Sequence, residues 1–211
     1  MSGSSSVKAR KIVAILSDWF GEIPWWPGGT DEVMIGAILT QQTRWENVEQ
    51  ALLRLKKDNL ATISAIHAAD PEKIEQAVRC TGFYRIKARR LKALAMHVMD
   101  TYGGVEEMFA VPTAKLRTGL LTVNGIGEET ADSILCYGFS RTSFVVDAYT
   151  ERMVRCAGIP EKRSGIKDLF EKVLAEDSFA YRQAHAHIVE YAKRFCAKKR
   201  CDKCQIAILN G

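Results

Sequence analysis

The sequence lacks the features of several protein classes. No apolar run approaches the roughly 18 residues that a membrane-spanning helix needs, since Val33–Leu39 is among the longest. The first residues, Met1–Ser6, carry no basic segment followed by an apolar stretch, so we expect no secretion signal. The 211 residues are 47% hydrophobic and 26% charged, an ordinary globular composition. These features exclude a membrane protein, a small secreted protein and a fibre.

The six cysteines do not indicate a disulfide framework, because nothing in the chain points to secretion. Three of them, Cys196, Cys201 and Cys204, lie close together among lysines and arginines. Thiolates at such spacings bind iron–sulfur clusters or zinc. A metal-free tail is the alternative. The other three cysteines are typical of small core residues: Cys80, Cys136 and Cys156. One of these three could be a fourth ligand only if the fold brings it close to the tail.

The net charge of +5 is small, but the basic residues are clustered. Residues 79–92 contain six basic side chains and no acidic one, and residues 181–211 contain seven basic and two acidic. Clustered cations suit a polyanion such as nucleic acid. Solvated helix faces would give the same pattern.

Helical periodicity runs through almost the whole chain, and no strand hairpin or repeat is evident. We predict an all-α protein of two helical lobes. The first is discontinuous and combines 1–24 with 139–195; the second is a central lobe over 25–138; a basic, cysteine-rich tail over 196–211 follows. The main predicted helices cover 8–20, 32–39, 46–57, 84–102, 128–138, 147–157, 164–176 and 178–195.

Two glycines interrupt two helical stretches near 118–138, in the segment Asn124–Gly127. Gly125 and Gly127 permit positive φ and the close approach of a large partner. Their N–H groups lie beside a helix N-terminus and could bind a phosphate. An ordinary helix–helix turn is the alternative.

This segment, Leu121–Asp132, resembles the helix-hairpin-helix of the endonuclease III (HhH-GPD) superfamily of DNA glycosylases, whose hairpin reads L-P-G-V-G-x-K-T-A. The resemblance covers roughly residues 25–204, and its motifs follow in the family's order: Leu39–Thr43, Gly82–Ala88, Val145–Asp147 and the terminal cysteines. Trp25–Pro27 and Thr43–Glu46 look most like the 3-methyladenine DNA glycosylase branch.

The resemblance implies a monofunctional glycosylase of base excision repair. Such an enzyme would excise alkylated purines, 3-methyladenine first among them, from double-stranded DNA lying in a cleft between the two lobes. It would be a cytoplasmic, nucleoid-associated monomer. Two alternatives remain: an endonuclease III-like glycosylase and abasic-site lyase for oxidised pyrimidines or mismatched thymine, and a non-catalytic helix-hairpin-helix DNA-binding protein.

Asp147 is the predicted catalytic residue. It lies 20 residues after Gly127 and opens a predicted helix, where an aspartate is usually a cap. The family's essential aspartate stands at this place, and a fixed carboxylate can stabilise the positive charge that develops on the sugar. The lysine with which bifunctional relatives form an imine is replaced by Glu129, which cannot form one.

Aromatic side chains form the predicted base pocket. By resemblance, Trp25 and Trp45 sandwich the extruded base, while Trp26 and Pro27 shape the wall. Indole faces attract a cationic purine, although packing in the core would explain the same residues. His187 falls where a relative has a pocket-side lysine. Spacing on a helix further predicts that one of His185 and His187 is in the core and the other exposed.

The resemblance also names DNA contacts. A glutamine would enter the gap left by the extruded nucleotide; we assign Gln42, although the neighbouring Gln41 fits nearly as well. The other predicted DNA-binding residues are Gly125, Gly127, Thr130, Arg85 and Lys87.

The family holds a [4Fe–4S] cluster with the pattern C-x6-C-x2-C-x5-C. This chain has C-x4-C-x2-C, and the fourth position falls on Asn210. The resemblance therefore implies a cluster on Cys196, Cys201 and Cys204 whose fourth ligand is unknown. It also implies a monovalent cation bound by carbonyls of the hairpin.

Overall fold

The computed structural model describes residues 3–26, 28–174 and 176–210. Within these ranges the chain forms helices and no strand, which confirms the predicted all-α class. The helices are α1 (Gly3–Phe20), α2 (Thr30–Leu39), α3 (Trp45–Lys57), α4 (Ile63–Ala68), α5 (Pro71–Ala77), α6 (Tyr84–Tyr102), α7 (Thr113–Thr122), α8 (Glu128–Ser133), α9 (Ala148–Cys156), α10 (Arg163–Leu174) and α11 (Ser178–Arg194). None of the described helices is long and apolar enough to cross a membrane.

The helices group into two compact units. The terminal unit comprises Met1–Trp25 and Ser140–Gly211, and the central unit comprises Trp26–Phe139. The cysteine-rich tail therefore belongs to the terminal unit.

The central unit is built around α2. Every residue of 33–39 is buried, as expected of a helix that is apolar on all sides. Helices α3, α4, α6 and α8 contact α2, and so does a π-helical turn, Ile134–Gly138, that continues α8. The Thr30 hydroxyl donates to the Gly138 carbonyl at 2.9 Å and joins the two segments at their ends.

In the terminal unit α1 packs against α10 and α11, and α9 packs against the same two helices. The segment that leads into α9 is held by aromatic packing, since Phe144 stacks on Phe170 with 4.7 Å between ring centroids. This packing fixes the approach to Asp147, the residue that precedes α9.

Helix α6 has the predicted bounds, but Lys87 lies on its buried face and not on its exposed face as predicted. Lys87 was predicted to contact DNA, yet it is 1% exposed. Its ammonium donates to the carbonyls of Leu39 at 2.8 Å and Thr81 at 2.9 Å. The prediction is wrong because Lys87 lies four residues before Leu91, on the buried face of α6.

Candidate functional site

Asp147 is held rigidly at the start of α9. Its Oδ1 accepts hydrogen bonds from the Thr150 backbone N at 2.7 Å and from the Thr150 hydroxyl at 2.8 Å. The residue is 8% exposed. Capping uses one carboxylate oxygen, so the same side chain can be both an N-cap and a reactive group.

The second oxygen of Asp147 faces a histidine. Nε2 of His185, on α11, lies 3.5 Å from Asp147 Oδ2. Burial raises the pKa of Asp147, but the hydrogen bond and charge of His185 and the two bonds from Thr150 together lower it below its ordinary value. The carboxyl is therefore an anion at neutral pH.

Residue spacing did not predict the contact of His185 with Asp147. The residue is 38 positions from Asp147, and only the packing of α9 on α11 brings the two together. Both His185 and His187 are buried, at 7% and 4% exposure, so the prediction that one of them is exposed is wrong.

Helix α10 braces the segment before Asp147. The Arg163 guanidinium donates to the Val146 carbonyl and to Glu151 Oε1, the latter at 2.6 Å. Lys167 donates to the Phe144 carbonyl at 3.0 Å. The carboxylate is thus preorganised, which is what electrostatic stabilisation of a developing positive charge requires.

The two hairpin glycines differ in conformation. Gly125 has φ +88°, which a side chain would strain, and a Cβ there would clash with Arg90. Gly127 has φ −94°, so the prediction that it permits positive φ does not apply to it. No described atom lies within 4 Å of a Cβ built on Gly127, which leaves room for a large partner.

Gln41, two residues after the end of α2, holds the hairpin in place. Its Nε2 donates to the Gly125 carbonyl at 3.0 Å and to the Thr130 hydroxyl at 3.2 Å, while Arg90 donates to its Oε1. Thr130 is only 8% exposed. Its hydroxyl supports Gln41, and its predicted role in DNA binding stays a prediction.

Gln42 is placed differently from its neighbour. It is exposed and has φ +55°, a left-handed conformation that is uncommon for a residue with a side chain. Gln41 is therefore the structural glutamine, and Gln42 is the one that faces solvent.

The central unit contains an aromatic group of three rings. Trp26 meets Trp45 edge-on at 5.3 Å between centroids and lies 5.8 Å from Tyr137. The Trp26 indole packs on Gly36 of α2, where a Cβ would come within 2.6 Å of the ring. Both tryptophans are half-buried.

Trp25 belongs to the terminal unit. The Lys193 ammonium stands 5.3 Å from its ring centroid, in a cation–π contact. Pro27, predicted to complete the wall, lies outside the described residues.

His187 is fixed in the terminal unit. Its Nε2 lies 2.6 Å from the Gly21 carbonyl, and burial lowers its pKa although that hydrogen bond raises it. It lines a pocket of about 350 Å³, together with residues of α1, α10 and α11 and the turn at Gly21 and Glu22. Whether a base enters there stays a prediction.

Arg85 and Phe83 mark an exposed turn at the start of α6. Arg85 is exposed and lies over the Tyr84 ring, 5.7 Å from its centroid, with Glu75 Oε2 at 3.7 Å from its Nε. Phe83 is 64% exposed and has φ +46°. Phe83 lies in the motif Gly82–Ala88, but its exposure was not predicted, although an aromatic residue after a glycine in a basic stretch is a usable signal.

The three tail cysteines differ in burial. Cys204 is buried and its sulfur accepts from the Tyr191 hydroxyl at 3.8 Å, Cys196 is half-buried, and Cys201 is exposed. Within the part of the chain that the structure describes, no three His, Cys, Asp or Glu side chains are close enough to share one metal ion.

Known proteins resemble this chain in sequence and in fold. Residues 35–176 match the family model described as HhH-GPD superfamily base excision DNA repair protein. A protein of Methanocaldococcus jannaschii that carries the provisional name of DNA repair glycosylase is 46% identical over 203 residues, 93% of this chain and 92% of that protein. Endonuclease III of Thermotoga maritima is 28% identical over 82% of this chain and 78% of its own length.

Two solved structures have the same fold. The H. pylori 3-methyladenine DNA glycosylase bound to 1,N6-ethenoadenine matches with a TM-score of 0.80 and 29% identity, over 88% of this chain and 97% of that one. An endonuclease III–DNA complex also has a TM-score of 0.80, at 21% identity over 99% of this chain and 95% of that one.

Proposed function

Because the chain belongs to the HhH-GPD superfamily of base excision DNA repair proteins and is a DNA glycosylase, we propose that it removes alkylated purines, mainly 3-methyladenine, from double-stranded DNA by hydrolysing the N-glycosidic bond. The observation that carries this proposal is the rigid, anionic Asp147, which follows the hairpin at the family's spacing. The similar 3-methyladenine glycosylase, bound to an adenine derivative, supports the substrate class.

Asp147 supplies negative charge where the reaction develops positive charge. Cleavage of the bond gives the sugar oxocarbenium character, and a carboxylate that does not have to reorient stabilises that state. The same carboxylate orients the attacking water. An alkylated purine leaves as a neutral base, so the site needs little acid catalysis.

Water is the proposed nucleophile because the lysine of bifunctional relatives is absent. Glu129 is exposed at the first turn of α8, and a carboxylate forms no imine with the abasic sugar. Lys87, the buried lysine of the same unit, is occupied by two carbonyls.

Base recognition is assigned to the tryptophans. Indole faces attract a positively charged purine by roughly 0.5–2 kcal/mol. The Trp25 ring is already in a cation–π contact with the Lys193 ammonium. Trp26 and Trp45 offer a second aromatic surface in the central unit.

DNA is held by the hairpin and the turn before α6. The N–H groups of Gly125 and Gly127 bind a phosphate, for which the open space at Gly127 leaves room. Gln42 fills the gap left by the extruded nucleotide, and the exposed Phe83 and Arg85 contact the neighbouring duplex. The predicted monovalent cation would lie near the Gly125 carbonyl, which already accepts from Gln41. The protein acts as a monomer.

We assign the tail a [4Fe–4S] cluster, because a group of cysteine thiols is the donor set that such a cluster requires. Cys196, Cys201 and Cys204 would supply three ligands. A bound cluster would stabilise the tail and would take no part in base release. The tail is already positioned by hydrogen bonds from Trp19 to Gln205 at 3.1 Å and from the Gln205 N to Tyr191 at 2.9 Å.

The test is incubation with duplexes that each hold one defined lesion, followed by chromatography for the free base. The panel includes 3-methyladenine, 1,N6-ethenoadenine, an oxidised pyrimidine and a thymine mismatch. We expect release of 3-methyladenine. Release of the pyrimidines alone would instead make the protein endonuclease III-like, and salt-sensitive binding with no base release would make it a non-catalytic binder.

The variant Asp147→Asn tests the role of the carboxylate. Asparagine is as good an N-cap as aspartate, so the fold is kept while the charge is removed. We expect base release to fall by at least about 100-fold, the loss of one strong electrostatic contribution, with binding of damaged DNA nearly unchanged. Full activity in this variant would refute the assignment of Asp147.

A further inference from the structure

A cysteine outside the tail approaches the three tail cysteines. Cys156 ends α9, whereas Cys196, Cys201 and Cys204 follow α11. Helix α9 packs on α11 and on the last short 3-10 turn, Ala207–Asn210. The end of α9 is thereby brought to the end of the tail.

The missing fourth tail cysteine points to the same place. Asn210 stands where the family's spacing would put that cysteine, and its side chain lies against Gly158, where a Cβ would clash with Asn210 Oδ1. Gly158 is two residues after Cys156. The position left by the absent ligand therefore adjoins Cys156.

The thiols also interact electrostatically. Cys156 interacts with Cys204 and Cys201, and Cys196 interacts with Cys156 and Cys204. Arg152 interacts with both Cys156 and Cys196. Cys156 is therefore one of a group of four neighbouring thiols in the terminal unit.

The arrangement favours a cluster over a single ion. Four cysteines are the ligand set of a [4Fe–4S] cluster, in which each thiolate would bind one iron. The fit with a cluster rests on this donor set, since the described residues hold no group of three side chains that could bind a single metal ion.

We propose that Cys156 is the fourth ligand of a [4Fe–4S] cluster whose other ligands are Cys196, Cys201 and Cys204. This inference rests on the cluster assigned to the tail under the proposed function. Asp147 is the N-cap of α9 and Cys156 is its last residue, so the cluster would fix the far end of the helix that the reactive carboxylate caps.

The experiment compares the wild type, Cys156→Ala and Cys80→Ala, purified without oxygen and loaded with iron and sulfide. Cys80 is the control because it is also half-buried and belongs to the other unit. We expect about four iron atoms per chain and broad visible absorbance in the wild type and in Cys80→Ala. Cys156→Ala should lose both, and Cys156→Ala with Asn210→Cys should regain them.

A folded Cys156→Ala chain with wild-type iron content would overturn the proposal. Alkylation of the wild type tests the proposal without any variant. Iron loading should protect Cys156 and the tail cysteines from alkylation and leave the labelling of Cys80 unchanged. Equal labelling of Cys156 with and without iron would also overturn the proposal. A colourless wild type, or one with a single zinc ion, would refute the cluster itself. Base release, measured separately, tests the glycosylase assignment whatever the iron content.

Discussion

At the scale of single residues, the surroundings of Asp147 decide what it can do. An aspartate at a helix start is ordinarily a cap, and here Oδ1 is a cap for Thr150. The other oxygen meets His185, and this contact keeps a buried carboxyl ionised. Two oxygens of one side chain thus have separate tasks.

His185 should therefore control the pH dependence of base release. The pKa of Asp147 in the folded protein is lower than its ordinary value. The ionised carboxylate therefore stabilises the fold at pH values above the ordinary pKa, and this stabilisation is lost as the pH falls through the pKa of the folded protein. In His185→Phe burial dominates and raises that pKa, and the acid limb of the rate profile moves to higher pH. Single-turnover rates between about pH 4 and 8 measure the shift, with uncatalysed release subtracted.

The conservative variant His185→Gln serves as the control. An amide can donate a hydrogen bond but carries no charge, so the shift should be smaller than in His185→Phe. A uniformly slower reaction with an unmoved acid limb in both variants would contradict this role for His185.

At the scale of elements, the hairpin shows that its two glycines have different tasks. At position 125 a side chain would be strained by the positive φ and would clash with Arg90, so glycine is needed there. Neither constraint applies at Gly127. The two substitutions should therefore be separable.

Gly127→Ala should fold normally and bind DNA about tenfold more weakly, by roughly 1.4 kcal/mol, because a methyl group occupies the approach to a phosphate. Gly125→Ala should instead lower the melting temperature. Thermal unfolding and DNA titration at two salt concentrations distinguish these effects. Wild-type affinity of Gly127→Ala would mean that no phosphate approaches there.

Helix α6 contributes a buried cation to the end of α2. Burial and the neighbouring Arg90 lower the pKa of Lys87 from 10.5 to about 8, although Cys80 raises it. Its ammonium satisfies two carbonyls, one of them on the last residue of α2, just before the segment that holds Gln41 and Gln42.

Lys87→Met should cost about 1–3 kcal/mol of stability, since buried carbonyls lose their donor.

Between about pH 8 and 10.5 the unfolded wild type binds more protons than the folded one, so the stability of the wild type rises with pH. The variant should lack that rise. Denaturant unfolding at both ends of this window measures it, and a parallel rise in the variant would contradict the pKa assigned to Lys87.

At the scale of the whole molecule, the proposed water-using reaction requires that no lysine of the chain form an imine with the abasic sugar. Borohydride traps any covalent complex between the protein and an abasic sugar, so it surveys every lysine of the chain at once. We expect no trapped complex with the wild type on damaged DNA, and some trapping with Glu129→Lys. A trapped wild-type complex would contradict the water-using mechanism.

The sequence by itself determined the all-α class, because helical periodicity is a local property, and it determined the helix of α6 to its ends. It also located Asp147, the hairpin and the metal-binding cysteines of the tail as candidates, since each depends on residue types at short spacing. The sequence misplaced Lys87, because charge alone does not tell on which face of a helix a residue lies.

Only the tertiary structure decided the contacts made across long sequence distances. His185 reaches Asp147, Gln41 reaches Gly125, and Cys156 reaches the tail through helix packing that no local pattern encodes. The physical reason is that a side chain's charge state and availability depend on which groups surround it in space. The chain order lists those groups but does not say which of them meet.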